Sequence, residues 1–224
     1  MEFPLLHGVP RSVARAFAGP RLLLPPLAVL ATWLLVVSGI DDSVRGFFLS
    51  RAPFVDPALR GYEFALGMSW PLVPAFILLH RGVREGNRGL LAGGCAIFQA
   101  VIVLFIITMS LKWLTGRPTP TSFEPARAFH GPHFENGKLL RVMWPSGHTT
   151  ESFGAASAIV AYWRSERRLA AIAFALATCV AGDMLVSSFH WLSDIVAAIL
   201  LATPIGWSVG TTLRAWAREK SPAG

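Results

Sequence analysis

Apolar residues gather into six long runs, approximately Leu22–Ile40, Tyr62–Leu79, Leu90–Trp113, Gly147–Trp163, Leu169–Phe189 and Trp191–Leu213. Each approaches the roughly 20 residues that a helix needs to cross a bilayer. The pattern predicts an all-α integral membrane protein, a six-transmembrane helical bundle. The second and fourth runs are interrupted by Ser, Gly, Pro or Glu. Pro25-Pro26, Pro71, Pro74 and Pro204 are expected to start or bend helices, which bundled membrane segments tolerate. Between the first two runs, Asp41–Gly61 carries Phe47, Phe48, Leu49, Phe54 and Leu59 and is expected to lie along the interface. The one long polar connection, Thr115–Pro145, is of a length that more often serves function than idles. The first apolar run begins only near Leu22 and no small-residue cleavage pattern follows it, so it is expected to stay as a membrane helix.

Composition sharpens this picture. Of 224 residues, 53% are hydrophobic and only 15% charged, against about 25% charged in a soluble domain. The net charge of +7 does not indicate a nucleic-acid surface, because no Lys/Arg run is interleaved with aromatics. Its distribution follows topology instead. Twelve of the twenty basic residues, from Arg11 to Lys220, fall on the four segments that share one side, which predicts cytoplasmic termini. The expected layout is a cytoplasmic segment 1–21, a membrane domain 22–213 and a cytoplasmic tail 214–224. The long loop would then face the opposite side, the periplasm if this is a bacterial inner-membrane protein. Cys95 and Cys179 both sit in apolar runs and supply neither a disulfide framework nor a metal cluster. Most of the eight tryptophans fall near run ends, as in an interfacial belt.

Chemistry concentrates at the mouths of three runs. Ser146-Gly147-His148 opens the fourth, where a helix N-terminus offers free N–H groups and the positive end of a dipole to an anion. Gly147 permits close backbone approach, Ser146 adds a hydroxyl, and His148 stands beside as acid or base. His190 and Asp194 are spaced i, i+4, so the carboxylate can hold one imidazole nitrogen and leave the other as a nucleophile. Taken alone, the first group also suits a simple helix cap and the second a polar helix end. Lys112 and Arg117 close the third run as candidate phosphate-binding cations, or as snorkelling anchors.

The order Lys112…Gly116-Arg117-Pro118, then Pro145-Ser146-Gly147-His148, then His190-x-x-x-Asp194 resembles the type 2 phosphatidic acid phosphatase (PAP2) superfamily in its membrane branch. The resemblance covers the third to sixth runs. It implies a nucleophilic His190 that carries a phosphohistidine, oriented by Asp194, with His148 protonating the leaving oxygen and then activating water or alcohol. Lys112, Ser146 and Gly147 would hold phosphoryl oxygens, with no metal or other cofactor. The implied partner is a membrane lipid such as a phospholipid, a polyprenyl diphosphate or a lipid A phosphate.

Two departures from the family pattern stand out. Aligned on Lys112, the family's first arginine falls on Thr119; aligned on His190, its Ser-Arg pair falls on Asp183-Met184. Arg117 is the nearest replacement, with Arg127, Lys138 and Arg141 further off in the loop. Fewer cations suit a singly charged phosphodiester, so a head-group transferase on the sphingomyelin-synthase plan is the alternative to a lipid phosphatase. A catalytically silent lipid-binding relative is a third possibility. Asp183 is expected to pair with a nearby cation, such as Lys112 or Arg117, or to contact a cationic or hydroxylated head group. His130 and His133 are expected in structural or solvated roles rather than on a metal.

Overall fold

The computed structural model describes residues 2–51, 57–122, 124–132 and 142–219, with the backbone alone for 57–69. Eight α-helices follow one another along them: α1 (Val9–Ala16), α2 (Leu24–Val37), α3 (Ile40–Leu49), α4 (Pro57–Arg84), α5 (Arg88–Thr115), α6 (Gly147–Tyr162), α7 (Arg167–Val186) and α8 (Leu192–Glu219). A 3-10 segment, Gly19–Leu23, leads into α2. The described residues contain no strand, so the all-helical expectation holds. Among the described residues, four stretches are long and apolar enough to cross a bilayer: Gly19–Val37, Arg88–Thr115, Arg167–Val186 and Leu192–Glu219. The two interrupted runs lie on α4 and α6. Pro71 and Pro74 fall inside α4 and Pro204 inside α8.

α5, α6 and α8 form the centre. Their contact is set by small residues, since neither helix backbone can approach the other past a branched side chain. A Cβ on Gly206 of α8 would come within 2.0 Å of the Gly154 carbonyl oxygen on α6, and one on Gly210 within 2.3 Å of the Ala158 oxygen. Leu104 of α5 fills the space over Gly154. Around this centre α2 and α7 are mostly exposed. They present Val29, Leu30, Trp33, Ile172 and Leu176 outward, the apolar surface that a lipid-facing helix requires.

The N-terminal segment carries more structure than its composition suggests. α1 packs on α8, where Ser12 Oγ donates to Thr212 Oγ1 at 2.9 Å, and Gln99 Nε2 donates to the Leu5 carbonyl at 2.7 Å. α3 covers the first part of the expected interfacial stretch; Phe47 is exposed there, but Asp41 is buried. Phe54 and the side chain of Leu59 lie outside the described residues. The tryptophans divide. Trp33 and Trp113 are exposed as a belt requires, whereas Trp144, Trp191 and Trp216 are buried. Two of the buried rings donate to interior acceptors, Trp144 Nε1 to Thr32 Oγ1 and Trp191 Nε1 to the Pro118 carbonyl, both at 2.9 Å. Cys95 and Cys179 are both free thiols.

Candidate active site

α5 ends where Gly116 turns left-handed, φ 56°, and returns its N–H to the Lys112 carbonyl. A side chain there would meet the Gly131 carbonyl oxygen at 2.4 Å, so this turn requires glycine on two counts. The turn fixes Lys112 on the last helical turn and sends Arg117 the other way. Lys112 reaches the start of α6, where a Cβ on Gly147 would lie 3.6 Å from its Nζ. Its ammonium makes no hydrogen bond or ion pair among the described residues, while Asp194 and Glu151 lie within electrostatic range.

Ser146 caps α6. Its Oγ accepts the Thr149 N–H and donates to Thr149 Oγ1 at 3.0 Å, so the hydroxyl expected on a phosphate serves the helix end here. Its own N–H donates to the Asp194 carbonyl at 3.1 Å, tying the mouth of α6 to the mouth of α8. His148 follows in the first turn of α6, within electrostatic range of His190 and Lys112.

α8 begins at Leu192, so His190 precedes the helix instead of opening it. It still meets Asp194, Nδ1 to Oδ2, at 3.2 Å. The same Oδ2 accepts the Trp191 N–H at 3.0 Å, the reciprocal half of a helix-start cap. His190 N–H donates to the Met184 carbonyl, which fixes the turn between α7 and α8. With Nδ1 committed to Asp194, Nε2 is the nitrogen left for chemistry. Burial pushes this imidazole below its ordinary 6.5, against the Asp194 hydrogen bond. Burial thus favours the neutral ring, the form that nucleophilic attack by an imidazole would need.

Arg117 does not stand free beside a substrate. It is fully buried: Nη1 donates to Ser193 Oγ at 2.7 Å and to Asp194 Oδ1, and Nη2 donates to Asp41 Oδ2 at 2.8 Å and the Ala126 carbonyl at 3.0 Å. The guanidinium also lies over the rings of Phe129 and Trp191. Its partners are thus Asp41 and Asp194, not the expected Asp183, which sits in the last turn of α7. Thr119 hydrogen-bonds Thr121, and Met184 packs against Ala181 and Ile195. Arg127 is exposed, and His130 pairs with Glu124. Phe123, His133, Phe134, Lys138 and Arg141 lie outside the described residues.

Two acids join the site that its motifs do not contain. Asp41, from α3, accepts the Ser193 N–H at 2.9 Å as well as Arg117. Glu151, one turn beyond His148, is 4% exposed beside Lys112. The sequence held a signal for the second, an acid inside an apolar run, where ionisable groups are costly and usually functional.

The apolar helices are those of a membrane protein, and two histidines, a carboxylate and a lysine stand at the mouths of its central helices. Residues 93–218 match the PAP2 superfamily, and the chain belongs to it. Members of that superfamily are phosphatases and phosphotransferases, and a phosphatase-type activity goes with membership. No curated protein and no solved structure matches the chain. The matched region begins within α5, so α3 with Asp41 lies outside it.

Proposed function

We propose that the protein is a lipid phosphatase. It would cleave a phosphoester or phosphoanhydride of a membrane lipid at the extracytoplasmic face, in a six-span bundle with both termini cytoplasmic. The observation that carries this reading is the His190–Asp194 pair at 3.2 Å, with His148 and the Lys112 ammonium within electrostatic range of His190. His190 Nε2 attacks phosphorus, and the bond to the leaving oxygen breaks as His148 gives that oxygen its proton. Asp194 balances the positive charge that develops on the phosphorylated imidazole. His148 then takes a proton from water, whose oxygen attacks the phosphohistidine, releasing orthophosphate and restoring His190. Lys112 and the amides at the start of α6 hold the phosphoryl oxygens throughout.

A second reading has one specific observation in its favour. Thr119 and Met184 replace the family's arginines, and Arg117 is spent on carboxylates, leaving Lys112 as the cation at Gly147. A singly charged phosphodiester needs less neutralisation, so transfer of a head group to a lipid alcohol fits the same triad. Assay of purified protein against phosphatidic acid, polyprenyl diphosphate and diacyl phospholipids, beside His190→Ala, separates the two. Free phosphate lost in the variant supports the phosphatase. A new phosphorylated lipid without free phosphate supports the transferase, and turnover unchanged in His190→Ala refutes both.

A further inference from the structure

The phosphatase reading leaves a deficit of phosphate ligands, and two side chains that the family motifs do not specify, Ser188 in the spacer before His190 and Arg45 outside the matched region, line a cavity beside His190. Ser188 occupies the turn between α7 and α8 with φ 54°, a left-handed conformation that a serine adopts only under constraint. The turn is held by Ser188 N–H to the Leu185 carbonyl and by Phe189 and His190 N–H to the Met184 carbonyl. Ser188 is 4% exposed, and its Oγ is buried without a hydrogen-bond partner among the described residues. An unsatisfied buried hydroxyl is costly and calls for an explanation.

Arg45 of α3 comes to the same place from the other side. Its Nη2 donates to the Ser122 carbonyl at 2.8 Å, and its guanidinium carbon sits 5.4 Å from the centre of the Trp191 ring. These two contacts fix the group, yet Nε is buried with no partner among the described residues. Arg45, Ser188 and His190 line one small cavity of about 10 Å³, room for a single oxygen-sized occupant. Asp41 is also on its wall, but both carboxylate oxygens are taken by Ser193 and by Arg117, which it shares with Asp194. The rest of the wall is largely apolar, with Val44, Phe48, Pro120 and Leu185, so Ser188 and Arg45 are the lining residues that carry donors without a partner among the described residues.

Resting on the phosphatase reading of His190, we infer that this cavity is an oxyanion subsite. One non-bridging phosphate oxygen of the substrate accepts from Ser188 Oγ and Arg45 Nε there, beside the nucleophile. A guanidinium from α3 thus stands in for the arginines absent at Thr119 and Met184. The subsite takes phosphate in its anionic form, whether as the lipid head group or as released orthophosphate.

The test uses the purified full chain in detergent, with inorganic orthophosphate as probe for calorimetric binding and phosphatidic acid for turnover. Ser188→Gly removes the hydroxyl while relaxing the left-handed turn, so it keeps the fold; Arg45→Gln removes the charged donor. Each is expected to weaken orthophosphate binding about tenfold, as loss of one hydrogen bond to a charged group does. The double variant is expected to lose less than the product of the two, because both donate to one oxygen. Orthophosphate bound equally by wild type and both variants, as when the cavity holds only a water, overturns the subsite. So does phosphatidic acid turnover by a wild type that binds no orthophosphate. Weakened binding in the variants with no lipid phosphate hydrolysed by wild type sustains the anion subsite and instead refutes the phosphatase reading.

Discussion

Arg117 and Asp41 form a fully buried ion pair at 2.8 Å, joining the end of α5 to α3 across 76 residues of chain. Arg117 simultaneously holds Asp194, so a carboxylate outside the family's matched region helps to fix the acid that orients His190. Truncating one partner leaves the other charge stranded in the interior, which costs about 3–5 kcal/mol. Asp41→Ala is therefore expected to lower the melting temperature in detergent by about 10 °C. Arg117→Lys should fall nearly as far, since an ammonium cannot span both carboxylates and lie flat over Trp191. A melting temperature unchanged in Asp41→Ala would mean that the pair contributes little to the fold.

His190 lies between α7 and α8, and burial keeps its imidazole below the ordinary 6.5. The unfolded chain binds a proton near that value and the folded chain does not, so stability is present above 6.5 and declines as pH falls below it. Two outcomes follow. The acid limb of kcat/KM should lie below 6.5, and His190→Gln should flatten the fall of melting temperature between about pH 7 and about pH 5. A pH–rate profile that loses activity above 6.5 on acidification would contradict the neutral nucleophile.

Gly147→Ala offers a sterically mild probe of the anion site. The added methyl would make ordinary contact with Lys112 Nζ at 3.6 Å, so the protein should fold with an unchanged melting temperature. The methyl nevertheless occupies the gap that a phosphoryl oxygen would bridge. KM for a lipid phosphate is expected to rise about tenfold, and steady-state kinetics reads it directly.

Glu151 shares Lys112 with any bound phosphate. Glu151→Gln keeps the shape and removes an ionisable carboxyl within electrostatic range of Lys112, so KM for an anionic lipid should fall about threefold when measured at about pH 9, where that carboxyl is ionised. A large loss of kcat instead would show that Glu151 takes part in proton transfer.

Local signals were the legible ones. Each of the six apolar runs lies on a helix, because burial or lipid exposure of a whole helix needs no partner to be recognised. His190 and Asp194 were visible because four residues separate them, even though α8 begins two residues after the histidine. Ser146 as a helix cap was likewise visible. Arg117 was not: nothing in its neighbourhood reveals that its carboxylates come from positions 41 and 194. α1 escaped notice for a similar reason. It has eight residues, too few to make a long apolar run, and its place comes from docking on α8 through Ser12. Trp191 was read as an interfacial anchor, whereas its ring is packed beneath Arg117 and Arg45.

The contact of Gly206 with Gly154 has a bearing on the reaction distance itself. His148 rides on α6, and His190 with Asp194 stands at the head of α8; the two helices touch backbone to backbone, with no side chain between them to shorten or lengthen. The placing of His148 relative to His190 is thus constrained by a contact of two main chains. The peripheral helices α2, α3, α4 and α7 have no part in that contact. Sequence drift on α2 can reshape the lipid-facing surface without touching that contact, whereas α3, which carries Asp41, and α7, whose Met184 carbonyl holds His190, are tied to the site itself.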